Sequence, residues 1–105
     1  MRQFTTPDQT AKLIELGFAP NTRIKEVQVV HSEIHVDHDY YFAIGDLIEM
    51  LPQVIEFGEK WALRVMPTIG GGWAISYCSE YDERNNELID ALYDMVVRLK
   101  EEGVI

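Results

Sequence analysis

Leu88, Ile89, Leu92, Met95, Val96 and Leu99 recur at helical spacing near the end of the chain, with Asp90, Asp94, Arg98 and Glu101 outside that row. So wide an apolar stripe predicts an amphipathic closing helix. Asp82 or Asn85 is placed to cap its start, and Gly103 to close its end with Val104 packed on Leu99. Near the beginning, Thr6-Pro7-Asp8-Gln9 carries the elements of a capping box, with proline at a position where no amide hydrogen is needed. Gly17 after Leu16, followed by Phe18, supplies a left-handed stop and an apolar residue to fold back on Leu13. The spacing predicts a first helix over residues 7–16. A third, shorter stripe, Ile44, Leu47, Ile48 and Leu51, predicts a helix that Pro52 stops and that no strong capping residue starts.

Between these helices the pattern changes to β-branched and aromatic runs. Residues 23–30 (RIKEVQVV) and 39–43 (DYYFA) read as strands, and the intervening HSEIHVDHD fits either a strand or a loop. In Trp61–Met66 the residues Trp61, Leu63 and Val65 share one face, as do Trp73, Ile75 and Tyr77 in Trp73–Cys78, so two apolar rows can align across a hairpin. The opposite face presents Ala62, Arg64 and Met66 beside Ala74, Ser76 and Cys78, small and mixed, which suits solvent or a modest interface. Gly70-Gly71-Gly72 forms the flexible connection, and Glu80 to Glu83 reads as an acidic turn into the last helix. The expected fold is α+β: an antiparallel sheet with helices packed mainly on one face, in a single domain over residues 1–105.

Composition narrows the function classes. Apolar residues make up 47% of 105 positions, enough for one core and not for two independent ones. The net charge of -9 opposes nonspecific contact with phosphate backbones or anionic membranes, and the nine basic residues are scattered. No nucleic-acid or membrane role is expected. One cysteine permits no intramolecular disulfide, no apolar run is long enough to span a bilayer, and MRQFTTPDQTAKL lacks the features of a secretory signal, so a cytoplasmic location is the expectation.

Candidate chemistry is thin. His31, Glu33, His35, Asp37, His38 and Asp39 offer imidazole and carboxylate ligands, and on a continuous strand all but His38 fall on one side. Successive ligands on a flat strand stand roughly 6 to 7 Å apart and cannot converge on one ion without a bend or a second chain. A solvated strand edge explains the segment more simply. Cys78 is the one thiol; the neighbouring Glu80, Asp82 and Glu83 oppose thiolate formation. Trp61, Trp73 and Tyr77 are core candidates first and the edge of a ligand groove second. No catalytic residue and no cofactor is assigned.

The segments FTTPDQTAKLIELGF and FAIGDLIEMLP, the hairpin between the two tryptophans, and NELIDALYDMVVRLKEEGVI together resemble a group of small α+β proteins of Bacteroides-type genomes, their phages and mobile elements. The resemblance touches most of the chain and rests on structural motifs. It implies an intracellular, phage-related setting and supplies no activity or substrate. A glycine-tipped hairpin followed by a helix containing Asp90-Ala91-Leu92 is also similar, in fold alone, to the partner-binding domain of HicB-type antitoxins.

The expected function is that of a small noncatalytic interaction or accessory protein that binds another protein or itself as a homodimer. The candidate surface is Ala62, Arg64, Met66, Ala74, Ser76 and Cys78. The alternative is a metal- or ligand-binding module that uses His31, Glu33, His35, Asp37 and Asp39, or a groove at Trp61, Trp73 and Tyr77.

Overall fold

The computed structural model describes residues 1–19, 22–23, 26–30, 33–37 and 40–105, with the strands between 22 and 40 given by their backbone. The fold is α+β, and every described strand pairing is antiparallel.

Helix α1 (Pro7–Glu15) begins as its sequence dictates. Gln9 N–H donates to Thr6 Oγ1 at 3.2 Å, and Thr6 N–H donates to Gln9 Oε1 at 3.0 Å. Its end is a full Schellman closure: Gly17, at φ 100°, donates to Ile14 O, and Phe18 N–H reaches back to Leu13 O, both at 3.0 Å. The N-terminal segment is tied to the last helix through Asp90, whose carboxylate accepts from the Arg2 guanidinium and, at 2.7 Å, from Gln9 Nε2. Inside this layer, Thr5 Oγ1 accepts from Phe42 N–H at 3.1 Å and lies 2.7 Å from Thr10 Oγ1, so both buried hydroxyls are satisfied.

Strands β1 (Thr22–Arg23) and β2 (Glu26–Val30) return as β3 (Glu33–Asp37) and β4 (Tyr40–Tyr41). The pairs from Thr22↔Tyr41 to Val30↔Glu33 keep one register. The segment open to strand or loop thus contributes a strand over 33–37. Beyond β4, Phe4 bridges Ala43.

Helix α2 (Ile44–Met50) starts without a capping side chain on Ala43; instead Ala43 N–H donates to Asp46 Oδ2 at 2.8 Å. Leu47 and Leu51 are buried, whereas Ile48 stays exposed. Pro52 follows, and its carbonyl accepts from the Tyr77 hydroxyl at 2.6 Å.

The expected strand Trp61–Met66 is two strands that meet at Leu63. β5 (Val54–Phe57) and β6 (Glu59–Ala62) form their own hairpin around Gly58, whose φ of 72° allows the tight reversal. β7 (Arg64–Pro67) then pairs with β8 (Trp73–Cys78), with Val65 opposite Ile75 as the apolar rows require.

The acidic turn is also shorter than its sequence suggests. The reversal occupies Ser79 and Glu80, and Tyr81–Asn85 forms β9, the third strand in the order β7-β8-β9. Charge compensation permits this, because Arg98 pairs with Glu83 at 3.3 Å, donates to Glu80 O and covers the Tyr81 ring at 4.8 Å, while Arg84 pairs with Asp82 at 3.2 Å. Asp82 therefore lies within a strand and caps nothing. Asn85 Oδ1 accepts from Glu87 N–H at 3.4 Å, next to the start of α3 (Leu88–Glu101).

Helix α3 packs on α2, β8 and β9. Its stripe, with Ala91 added, is buried together with Leu13, Phe42, Leu47, Leu51, Ile55, Ile75, Tyr77 and Tyr81 in one cluster. The helix ends by the same closure as α1: Gly103 at φ 76° donates to Lys100 O, and Val104 N–H donates to Leu99 O at 2.8 Å.

Candidate functional site

The three-stranded sheet has two unlike faces. Thr68 N–H donates to Gly72 O at 2.8 Å at the mouth of the turn, so the even-numbered positions of β7 are its hydrogen-bonded pairs with β8: Arg64 with Ser76, and Met66 with Ala74. Side chains alternate with the same period. Ile75 and Tyr77 point to α3 and are buried, and the even row points away from it.

Beyond β8 the outward face continues through Asp82, opposite Ser76, and Arg84, opposite Ala74. Four of the six expected interface residues, Arg64, Met66, Ala74 and Ser76, thus form two adjacent cross-strand rows. Ala62 lies on β6, outside this sheet, and Cys78, a free half-buried thiol, pairs with Tyr81 past an irregularity in the ladder.

Burial within this face is uneven. Ala74 is 4% exposed between Met66 and Arg84, whereas Met66 is 44% exposed and Ile69, at the turn, is fully exposed. A concavity of about 610 Å³ opens here, lined by Met66, Ile69, Trp73, Ala74, Arg84 and Asn86 among others. The glycine turn at its edge is internally bonded: Gly71 N–H donates to Thr68 O and Gly72 N–H to Thr68 Oγ1. Those amides are committed to the turn and are not presented as an anion cradle.

Among the cations whose side chains are described, Arg64 and Lys60 are exposed and lie in no salt bridge. Arg2, Lys12, Arg84 and Arg98 all lie in salt bridges, and Lys100 sits 5.6 Å from the Phe18 ring centre. Lys60 stands directly across from Glu56. Arg64 is exposed, and among the described residues no carboxylate lies within ion-pair distance of it.

Of the three aromatic groove candidates, Trp73 alone lines this concavity. Trp61 donates its indole N–H to Phe57 O at 3.1 Å, and Tyr77 is 2% exposed with its hydroxyl spent on Pro52. Burial pushes the Tyr77 phenol up to about 12, so it remains a hydrogen-bond donor throughout the neutral range. Tyr77 belongs to the core.

Glu33, His35 and Asp37 occupy alternate positions of β3, opposite Val30, Gln28 and Glu26. His31, His38 and Asp39 lie outside the described residues. Among the described residues, no group of three His, Cys, Asp or Glu side chains is placed to hold a metal ion.

A second hollow, of about 420 Å³, lies between β9 and α3 and is lined by Glu83, Tyr93, Asp94, Arg98, Glu101 and Glu102. Burial raises the Asp94 pKa; a hydrogen bond from Asn85 offsets part of the rise, and the Glu83 and Asp90 charges add to it. A carboxyl that holds its proton more tightly when folded destabilises the fold once pH exceeds both its unfolded and folded pKa values. Below both, that penalty vanishes. Asp94→Asn is therefore expected to raise the melting temperature at pH 7 and to leave it unchanged near pH 3, as checked by thermal unfolding at both. An equal gain at both would contradict the desolvation argument.

Sequence reasoning missed Ile69 and the groove at Ile48, Leu51 and Leu63. The β-branched and aromatic run Val54-Ile55-Glu56-Phe57 before Gly58 was the available signal for β5, which brings Gln53 beside Leu63. No family model, curated protein or solved structure matches the chain. Among the described residues, no helix is long and apolar enough to cross a membrane.

Proposed function

We propose that this chain is a noncatalytic protein-interaction protein whose contact surface is the outward face of β7, β8 and β9. The observation that carries the reading is the joining, on one cross-strand face, of an exposed methionine, a buried alanine floor and an exposed arginine with no ion-pair partner among the described residues, beside a fully exposed isoleucine. Flexible Met66 adapts to a partner surface, Ala74 permits close approach, and Arg64 rewards a carboxylate on the other side.

The test is a reconstituted complex. Tagged full chain enriches a partner, the partner is purified, and its dissociation constant is compared for wild type and Met66→Asp. The expected result is a loss of about tenfold or more, as for a truncated or charged anchor at an interface centre. An unchanged constant removes this face from the interaction. Circular dichroism of the exposed-site variant serves as the folding control.

A further inference from the structure

The edge beside β7 has a geometry that narrows the partner further. Leu63 N–H donates to Gln53 O at 2.8 Å, while the even-numbered residues of β7 face β8. Backbone groups of an antiparallel strand alternate between its two sides. Leu63, Val65 and Pro67 therefore turn their polar groups away from β8, and β5 occupies that side only as far as Gln53. There the chain leaves through Pro52 into α2. Among the described residues no strand pairs with β7 on that side beyond Leu63, and Val65 turns both an N–H and a carbonyl toward it.

Beside this edge lies a groove of about 580 Å³ lined by Ile48, Glu49, Leu51, Gln53 and Leu63. It reaches the strand at Leu63, an odd-numbered position like Val65, which remains 38% exposed where α3 packs on β8 and β9. On the outward side of the same edge stands Arg64, exposed and without an ion-pair partner among the described residues.

Building on the proposed interaction role, we infer that the partner supplies an extended segment that adds as a strand along the outer edge of β7. Its residues alternate, one set apolar and seated against Ile48, Leu51 and Leu63, the other carrying a carboxylate to Arg64. Main-chain bonds to Val65 provide attachment, and the two rows of side chains provide selection. An edge strand with an exposed valine and methionine, blunted only by Pro67 at its end, is a surface that invites such pairing.

The test pans a display library of random octapeptides on the full chain and then scans the consensus peptide by N-methylation, one amide at a time. The proposal expects enrichment of sequences alternating Asp or Glu with apolar residues. Methylation of the two amides that face the Val65 and Pro67 carbonyls, two residues apart, should each lower affinity by about fivefold or more, with little effect at the amide between them, because alternate amides face the edge. Arg64→Glu should weaken binding, and Val65→Pro, which removes the outward donor, should abolish it. The peptide scan leaves the protein unaltered, so it decides the matter even if the proline variant fails to fold. No enrichment, a basic consensus, or methylation effects without a period of two would overturn strand addition. Peptides that lose affinity with Met66→Asp but tolerate every N-methyl group would overturn it too, while leaving the outward-face role standing. A homodimer sensitive to Val65→Pro, with no peptide enriched, would overturn the proposed occupant.

Discussion

Leu92→Ala is expected to destabilise the protein by about 2 to 5 kcal/mol, the range for deleting a fully buried leucine side chain beyond its β-carbon. Leu92 has no exposed surface and lies mid-helix in α3, among Leu88, Ile89, Met95, Val96 and Leu99, which are all buried. Because α3 packs on α2, β8 and β9, a cavity there is shared by the helix and the sheet it covers. None of these elements can collapse into it without moving another. In a domain of this size, each kcal/mol shifts the melting temperature by about 4 to 8 °C, so the loss is large enough to leave the variant partly unfolded at moderate temperature. Leu92→Met, which conserves volume, should cost under about 1.5 kcal/mol. Equilibrium urea unfolding of both variants checks the pair. An alanine variant within about half a kcal/mol of wild type would refute the central placement of α3.

Gly72→Ala is expected to cost about 1 to 3 kcal/mol by overpacking. A β-carbon at Gly72 would stand 2.7 Å from the carbonyl oxygen of Asn85 and 3.3 Å from Thr68 Oγ1. The first contact is backbone against backbone, so no flexible side chain can swing aside. Relief requires separating β8 from the end of β9, where Trp73 pairs with Asn85, and that shift would also disturb the Asn85 bond to Glu87 beside the start of α3. Gly70→Ala is the matched control: nothing lies within 4 Å of its β-carbon position. It should be nearly neutral. Equal unfolding midpoints for the two alanine variants would show that the close approach at Gly72 is not maintained in solution.

The helices were legible because their signals are local. The capping box at Thr6 and Gln9, the left-handed glycines at 17 and 103 and the stop at Pro52 each act within a few residues of the element they bound. The β7–β8 alignment was legible for a related reason, since Val65 and Ile75 fall on a common apolar row whatever else the chain does. The parts that were not legible depend on distant partners. Tyr81–Asn85 has the charge of a turn and becomes a strand because Arg98, from the following helix, neutralises Glu83 and covers Tyr81. The division at Leu63 follows from a change of neighbour, from β5 on one side to β8 on the other, and no residue at position 63 announces it.

The candidate surface was legible as a row of small and mixed side chains, but not in its relief. Alternation placed Arg64 and Met66 beside Ala74 and Ser76. It did not show that Ala74 forms a floor, that Ile69 stands free at the rim, or that Tyr77 is withdrawn by its bond to Pro52. Those features arise from the third strand and from α2, whose positions relative to β8 are tertiary facts.

The outward side of β7–β9 and the adjoining edge are the proposed place of partner binding. Hydrogen–deuterium exchange of the full chain, free and with its reconstituted partner, tests this directly. The expected result is new protection concentrated in residues 64–67 and 73–76, with α1 unchanged. Protection confined to residues 31–39, or to the far side of α3, would contradict it.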